Sequence, residues 1–267
     1  MYELVSKTTE NKVGEAQAHN DIGILHYMLA DYPKSINCYQ KSLKIRSKLN
    51  DSIGIAGLYN KIGLVYQNTF EMDSAIFYAT KALEIYQEKN DVRHSAAIKN
   101  NIANIYRGLK QYKKALKTHL EIAEINKEIK DYSALTRSYN NIANSYLFLN
   151  DTINSIVFYK KGIELAKTHN YKAGLAALYN NYGSLLQSKK EYVEAINLLN
   201  KSLKLREQLQ DNFGIASTSL HIAGLYLDLR ELNNVESNLR LGLKLSEQSN
   251  ANELKMDAYD KFATYYA

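Results

Sequence analysis

The chain has 267 residues, 45% hydrophobic and 23% charged, with 34 Lys and Arg against 28 Asp and Glu, so the net charge is +6. This is the balance of a soluble folded protein with a sizeable core, and its basic residues alternate with acidic ones instead of forming the block expected of a nucleic-acid binder. A single cysteine, Cys38, excludes an intrachain disulfide and argues against a thiolate metal site; no run reaches the ~18 consecutive apolar residues of a membrane span, and the opening MYELVSKTTE has no apolar signal region.

A cytoplasmic protein is therefore expected, with Cys38 an inert packed thiol. The lone proline leaves helices free to run without interruption.

After an N-terminal segment, residues 1–10, the chain repeats itself every 40 residues, in rows starting at Asn11, Asp51, Asp91, Asp131, Tyr171, Asp211 and Ala251. Row two opens with Tyr59, Ile62, Gly63 and Tyr66 at i, i+3, i+4 and i+7, one face of a helix, and follows with Ala75, Ala79, Ala82 and Leu83 on a second helix. Row four carries Tyr139, Ile142, Ala143 and Tyr146 in the same columns, then an Asn150-Asp151 turn. Row five carries Tyr179, Tyr182, Gly183 and Leu186, then Ala195, Leu199, Ser202 and Leu203. The small third column admits a close neighbouring helix. Rows join through pairs such as Asn50-Asp51 and Asn90-Asp91, where asparagine suits a left-handed residue and aspartate an N-cap.

A lone hairpin of this kind cannot bury its apolar face, so the rows must stack. The pattern predicts an all-α, right-handed α-solenoid: one domain over residues 11–267, with six full repeats and the first helix of a seventh. The first helices would line its concave side.

These columns resemble the tetratricopeptide repeat: its aromatic, Leu-Gly, Tyr and Ala positions are met by Tyr59, Ile62-Gly63, Tyr66 and Ala75. The usual repeat has about 34 residues and ends its second helix at a proline. Here those positions hold Ser47, Gln87, Lys127, Lys167, Glu207 and Glu247, so the second helix is expected to run about a turn and a half further. The runs Asn101-Ile102-Ala103-Asn104 and Asn141-Ile142-Ala143-Asn144 are similar to repeats of spindle-orientation adaptors and kinesin light chains, and to sensory regions of bacterial histidine kinases and transcriptional regulators.

One column is unusual: Asn20, Asn60, Asn100, Asn140 and Asn180 succeed one another, and Asn101, Asn141 and Asn181 follow in the next. Five such residues cost about 3 kcal/mol of helix preference relative to alanine, which something must offset. Side-chain amides could pair with an extended peptide backbone, or could fix the stacking of repeats. The family resemblance implies ligand contacts from these columns and from others of the first helix, which adds Gln17, Tyr27, Asn104, Arg107, Arg137, Asn144 and Phe148. Arg107 and Arg137 would suit a carboxylate. For Asn20 the stacking role is favoured.

The expectation is a non-enzymatic module that binds a protein or peptide in its groove, without cofactor, metal, nucleic acid or membrane. It would serve as a scaffold or as the sensory part of a signalling protein. The six histidines show no metal-ligand spacing, and the glycines form no phosphate-binding loop. Basic clusters at Lys41, Lys44, Arg46 and Lys48 and at Lys110, Lys113, Lys114 and Lys117 read as solvated outer faces. In row seven, Tyr259, Phe262, Ala263 and Tyr266 occupy columns that a second helix would cover. The native chain is therefore expected to continue, or to form a homodimer through this end.

Overall fold

A computed structural model of the chain describes residues 12–249 and 251–267. The N-terminal segment 1–10 and the first residue of row one lie outside the described residues. Thirteen α-helices are described: α1 Lys12–Met28, α2 Tyr32–Lys48, α3 Ser52–Asn68, α4 Met72–Glu88, α5 Val92–Gly108, α6 Tyr112–Glu128, α7 Tyr132–Phe148, α8 Thr152–Thr168, α9 Lys172–Ser188, α10 Tyr192–Gln208, α11 Asn212–Leu229, α12 Val235–Gln248 and α13 Asn252–Tyr266. The chain divides into two compact units, one ending at Ile125 and the other beginning at Asn126, with the division inside α6.

The connections explain the regularity. At the end of α2, Asn50 takes a left-handed φ of 54°, and the Asn50 and Asp51 N–H groups donate back to Ser47 O (3.3 Å) and Arg46 O (3.1 Å). This pair of bonds closes the last turn. The Asp51 carboxylate then accepts from Gly54 N at 2.9 Å, which caps α3. One residue thus closes one helix and opens the next. A left-handed residue recurs at 20-residue steps, through Ala30, Asn50, Phe70, Asn90 and Lys110 in the first unit and Lys130, Asn150, Asn170, Lys190, Gln210 and Arg230 in the second.

Arg46 completes the Asp51 junction, its guanidinium paired with the carboxylate and its side chain 14% exposed. This corrects the expectation that it belongs to a solvated face. Arg206 and Asp211 repeat the arrangement at 2.7 Å before α11. A Cβ on Gly54 would fall 2.2 Å from Asp51 Oδ2 and 2.4 Å from Arg46 Nη1, and one on Gly214 1.6 Å from Arg206 Nη1 and 2.2 Å from Asp211 Oδ2, so a side chain at either position must displace the ion pair.

Within each unit, the paired helices pack through the predicted small column. A Cβ on Gly23 would meet Tyr39 at 2.6 Å, and one on Gly183 would meet Leu199 Cγ at 2.9 Å. The first unit has cores around Tyr39, Leu58, Ile62 and Val65 and around Ala79, Ala82, Ile98 and Ile102; the second has Tyr159, Leu178, Leu186 and Leu199, then Leu220, Val235 and Leu239. Cys38 is half-buried.

The extra length of the repeat is not confined to the second helix. In rows one to five both helices have 17 residues. Row six departs from this, with an 18-residue α11 and a 3-10 turn at Leu232–Asn234 before the shorter α12.

Candidate binding face of the first helices

In the first unit, α3 and α5 present the predicted columns side by side. Asn101 Nδ2 donates to Asn60 Oδ1 at 2.8 Å, so the second column of one row bonds the first column of the row before. Asn60, Asn100, Asn101 and Asn104 are all half-buried. Asn104 makes no side-chain hydrogen bond among the described residues, and Arg107 is exposed at the end of α5 with no ion pair among them. Gln17 and Tyr27 have partners, since Arg46 Nη2 donates to Gln17 Oε1 at 2.8 Å and Asn68 Nδ2 to the Tyr27 hydroxyl at 2.8 Å. Asn20 is buried and donates to Asp21 at 3.0 Å.

In the second unit the same pairing runs through three rows. Asn181 Nδ2 donates to Asn140 Oδ1 at 2.9 Å, Asn180 Nδ2 to Asn181 Oδ1 at 3.3 Å, and His221 Nδ1 lies 3.0 Å from Asn180 Oδ1. Because Asn180 turns its nitrogen to Asn181, its oxygen faces the imidazole, and His221 must carry its hydrogen on Nδ1. Burial, helped by the charge of Lys261, pushes the His221 pKa down to about 4, so the ring is neutral near pH 7. Asn180 is only 3% exposed, and its amide is spent on these two neighbours. These contacts match the stacking reading of the asparagine column at Asn180.

A groove of about 520 Å³ opens on this face, lined by Asn144 and Leu147 of α7, Tyr159 of α8, Asn181 and Ser184 of α9, and His221 of α11, among others. The Tyr159 hydroxyl donates to Asn144 Oδ1 at 2.5 Å, which orients the amide and leaves its Nδ2 without a partner among the described residues. Ser184 Oγ and His221 Nε2 are likewise without hydrogen bonds among them. The groove thus offers a donor, a hydroxyl and an acceptor on a largely polar lining broken by Leu147 and Leu185, a combination suited to peptide groups. Arg137 Nη1 donates to the Tyr171 hydroxyl at 3.1 Å, with the guanidinium over that ring, and does not line the groove. Asn141 is half-buried and Phe148 exposed.

Sequence reasoning missed His221 and Tyr159. His221 occupies the column of Asn101, Asn141 and Asn181 one row on, so the column itself marked it. Tyr159 sits on a second helix, and its reach to Asn144 needed the structure.

The family model of the tetratricopeptide repeat matches residues 10–88 and 94–168, and a second model of the same repeat matches 176–209. The chain belongs to the tetratricopeptide repeat family. Solved structures share the fold at low identity. A Rap protein complexed with Competence and Sporulation Factor has a TM-score of 0.66 at 16% identity, over 96% of this chain and 75% of its own. A signal transduction ATPase with numerous domains and a tetratricopeptide repeat sensor, from Pyrococcus horikoshii, has a TM-score of 0.70 at 17% identity, over 94% of this chain and 38% of its own. The nearly identical repeats of a putative kinesin light chain from Podosopora anserina give 0.60 at 11% identity, over 73% of this chain and 96% of theirs. No curated protein matches the chain in sequence.

Tandem tetratricopeptide helix pairs make this a protein-interaction module. Among the described residues, no helix is long and apolar enough to cross a membrane, and no three His, Cys, Asp or Glu side chains are grouped to hold a metal ion.

Proposed function

We propose that this chain is a non-catalytic module of the cytoplasm that holds an extended peptide or partner helix along the face of its first helices. It would act as the sensory or regulatory part of a signalling protein. The observation that carries the reading is the groove of the second unit, where Asn144 Nδ2, Ser184 Oγ and His221 Nε2 keep hydrogen-bonding capacity that no described residue uses. Asn181 lines it and is bonded to Asn140, with Asn141 next along α7. In the first unit Asn60, Asn100, Asn101, Asn104 and Arg107 offer the equivalent surface, and Arg137 adds charge beside Tyr171. The likeness to a Rap protein complexed with Competence and Sporulation Factor supports a ligand-holding role, through the fold alone.

The test is selection from a random peptide display library, followed by binding to an Asn144→Asp, Ser184→Ala variant. Aspartate still accepts from Tyr159 but has no donor to offer, so stacking survives while the ligand contact is lost. Selected peptides should bind the variant at least about tenfold more weakly. Equal binding by both proteins would overturn the reading.

A second reading, self-association through the C-terminal end, is supported by the outward side of α13, where Met256, Tyr259 and Tyr266 are exposed. Tyr266→Asp should abolish a dimer formed there.

A further inference from the structure

The outer stripe of α6 is unlike the same stripe on the other second helices. Lys113, Lys117, Leu120, Glu121 and Glu124 are exposed and Leu116 half-buried, while Ala115, His119, Ile122 and Ala123 turn to the interior. These six outer residues span about three turns, or roughly 16 Å, and line a shallow hollow of about 430 Å³. In the column of Leu120 the other rows carry Gln40, Thr80, Lys160, Asn200 and Arg240. In the columns of Glu121 and Glu124 they carry Lys41 and Lys44, Lys81 and Glu84, Lys161 and Glu164, Lys201 and Lys204, and Leu241 and Lys244. Row three alone places two bases at one end, two acids at the other and leucines between.

Such a stripe is its own complement when reversed. An antiparallel copy sets Lys113 against the acidic end of its partner, with Lys117 and Glu121 meeting nearer the centre and the leucines meeting across the axis. A two-fold axis makes every contact twice, which is the property of an isologous interface. Opposite charges across it fix the antiparallel direction, because a parallel arrangement would place like charges together. Glu121 Oε2 already accepts from Lys99 at 3.1 Å, a partly exposed bond within the same chain that leaves the other carboxylate oxygen to a partner.

We infer that the outer stripe of α6 is a docking surface for a second copy of this chain, laid antiparallel. The proposal stands apart from the peptide-binding reading and concerns a different face. One helix pair buries less than the roughly 1,200 Å² of a stable interface, so the dimer is weak and concentration-dependent.

The experiment is sedimentation velocity on the full chain from micromolar to near-millimolar concentration. It compares the parent with Lys113→Glu, Lys117→Glu, with Glu121→Lys, Glu124→Lys, and with an equal mixture of these two variants. Leu120→Asn and Tyr266→Asp complete the set, and helicity is checked by circular dichroism. The parent should dimerise, each charge reversal and Leu120→Asn should weaken association by at least about tenfold, and the mixture should form a heterodimer at least as tight as the parent. Tyr266→Asp should have no effect. A parent that stays monomeric overturns the proposal, as does a mixture that fails to associate. A dimer lost only in Tyr266→Asp also overturns it and assigns association to α13.

Discussion

Asn181 donates to Asn140 at 2.9 Å across 41 residues of chain, and Asn101 makes the same bond to Asn60 at 2.8 Å. The bond accounts for asparagines in two adjacent columns of a helix, where each is a poor helix former. The first-column oxygens of Asn60, Asn140 and Asn180 receive a nitrogen of the second column one row later, from Asn101, Asn181 and His221. Replacing Asn181 with alanine leaves Asn140 Oδ1 and the buried Asn180 Nδ2 without their partner. The expected loss is about 1 kcal/mol in urea unfolding, the cost of the orphaned groups less the gain in helix preference. A cycle with Asn140→Ala should recover part of it as coupling.

Gly54 and Gly214 lie in helices, where alanine would ordinarily stabilise by about 1 kcal/mol. Here the new methyl group would collide with Arg46 or Arg206. Gly214→Ala should therefore destabilise by about 1–3 kcal/mol. Adding Arg206→Ala should return much of that loss, read as a recovered unfolding midpoint.

His119 occupies the core column that holds Tyr39, Tyr159, Leu199 and Leu239 in other rows. It is 3% exposed, its Nδ1 has no hydrogen-bond partner among the described residues, and burial with the nearby Arg107 charge pushes its pKa down to about 4. The unfolded chain therefore takes up this proton first as pH falls. Stability should drop from about pH 6.5 to about pH 4, by on the order of 3 kcal/mol for this residue alone. His119→Leu should be more stable than the parent at pH 5 and show a flatter acid limb in denaturant titrations; an unchanged limb would refute the assignment.

Tyr159 is 0% exposed and its hydroxyl donates to Asn144, while burial, partly offset by the nearby Ser155 hydroxyl, raises its pKa well above the usual tyrosine value. Its phenolate absorbance should appear only on unfolding as pH rises, with stability falling above about pH 10, where the unfolded chain ionises. Tyr159→Phe should remove this contribution and cost about 1 kcal/mol near neutrality.

The fold was largely legible because its signals are local and repeated. The Asn50-Asp51 junction contains the left-handed residue, the cap and the helix boundary in two letters, and Gly23, Gly63 and Gly183 mark close helix contacts. What escaped reading were relations that need distance in space. Arg46 looks like one more lysine-rich surface residue until it is found against Asp51, and Asn180 looks like Asn140 until its burial beside His221 is seen. Identical letters in one column meet different neighbours as the row beyond changes.

The row of bonds from His221 through Asn180 and Asn181 to Asn140 points one way throughout, each nitrogen giving to the next oxygen. No single amide in it can turn over without opposing its neighbour, so orientation is a property of the row. Protonating the ring at one end, or drawing the Asn140 amide toward a ligand at the other, would be felt as a change of polarity along all three helices.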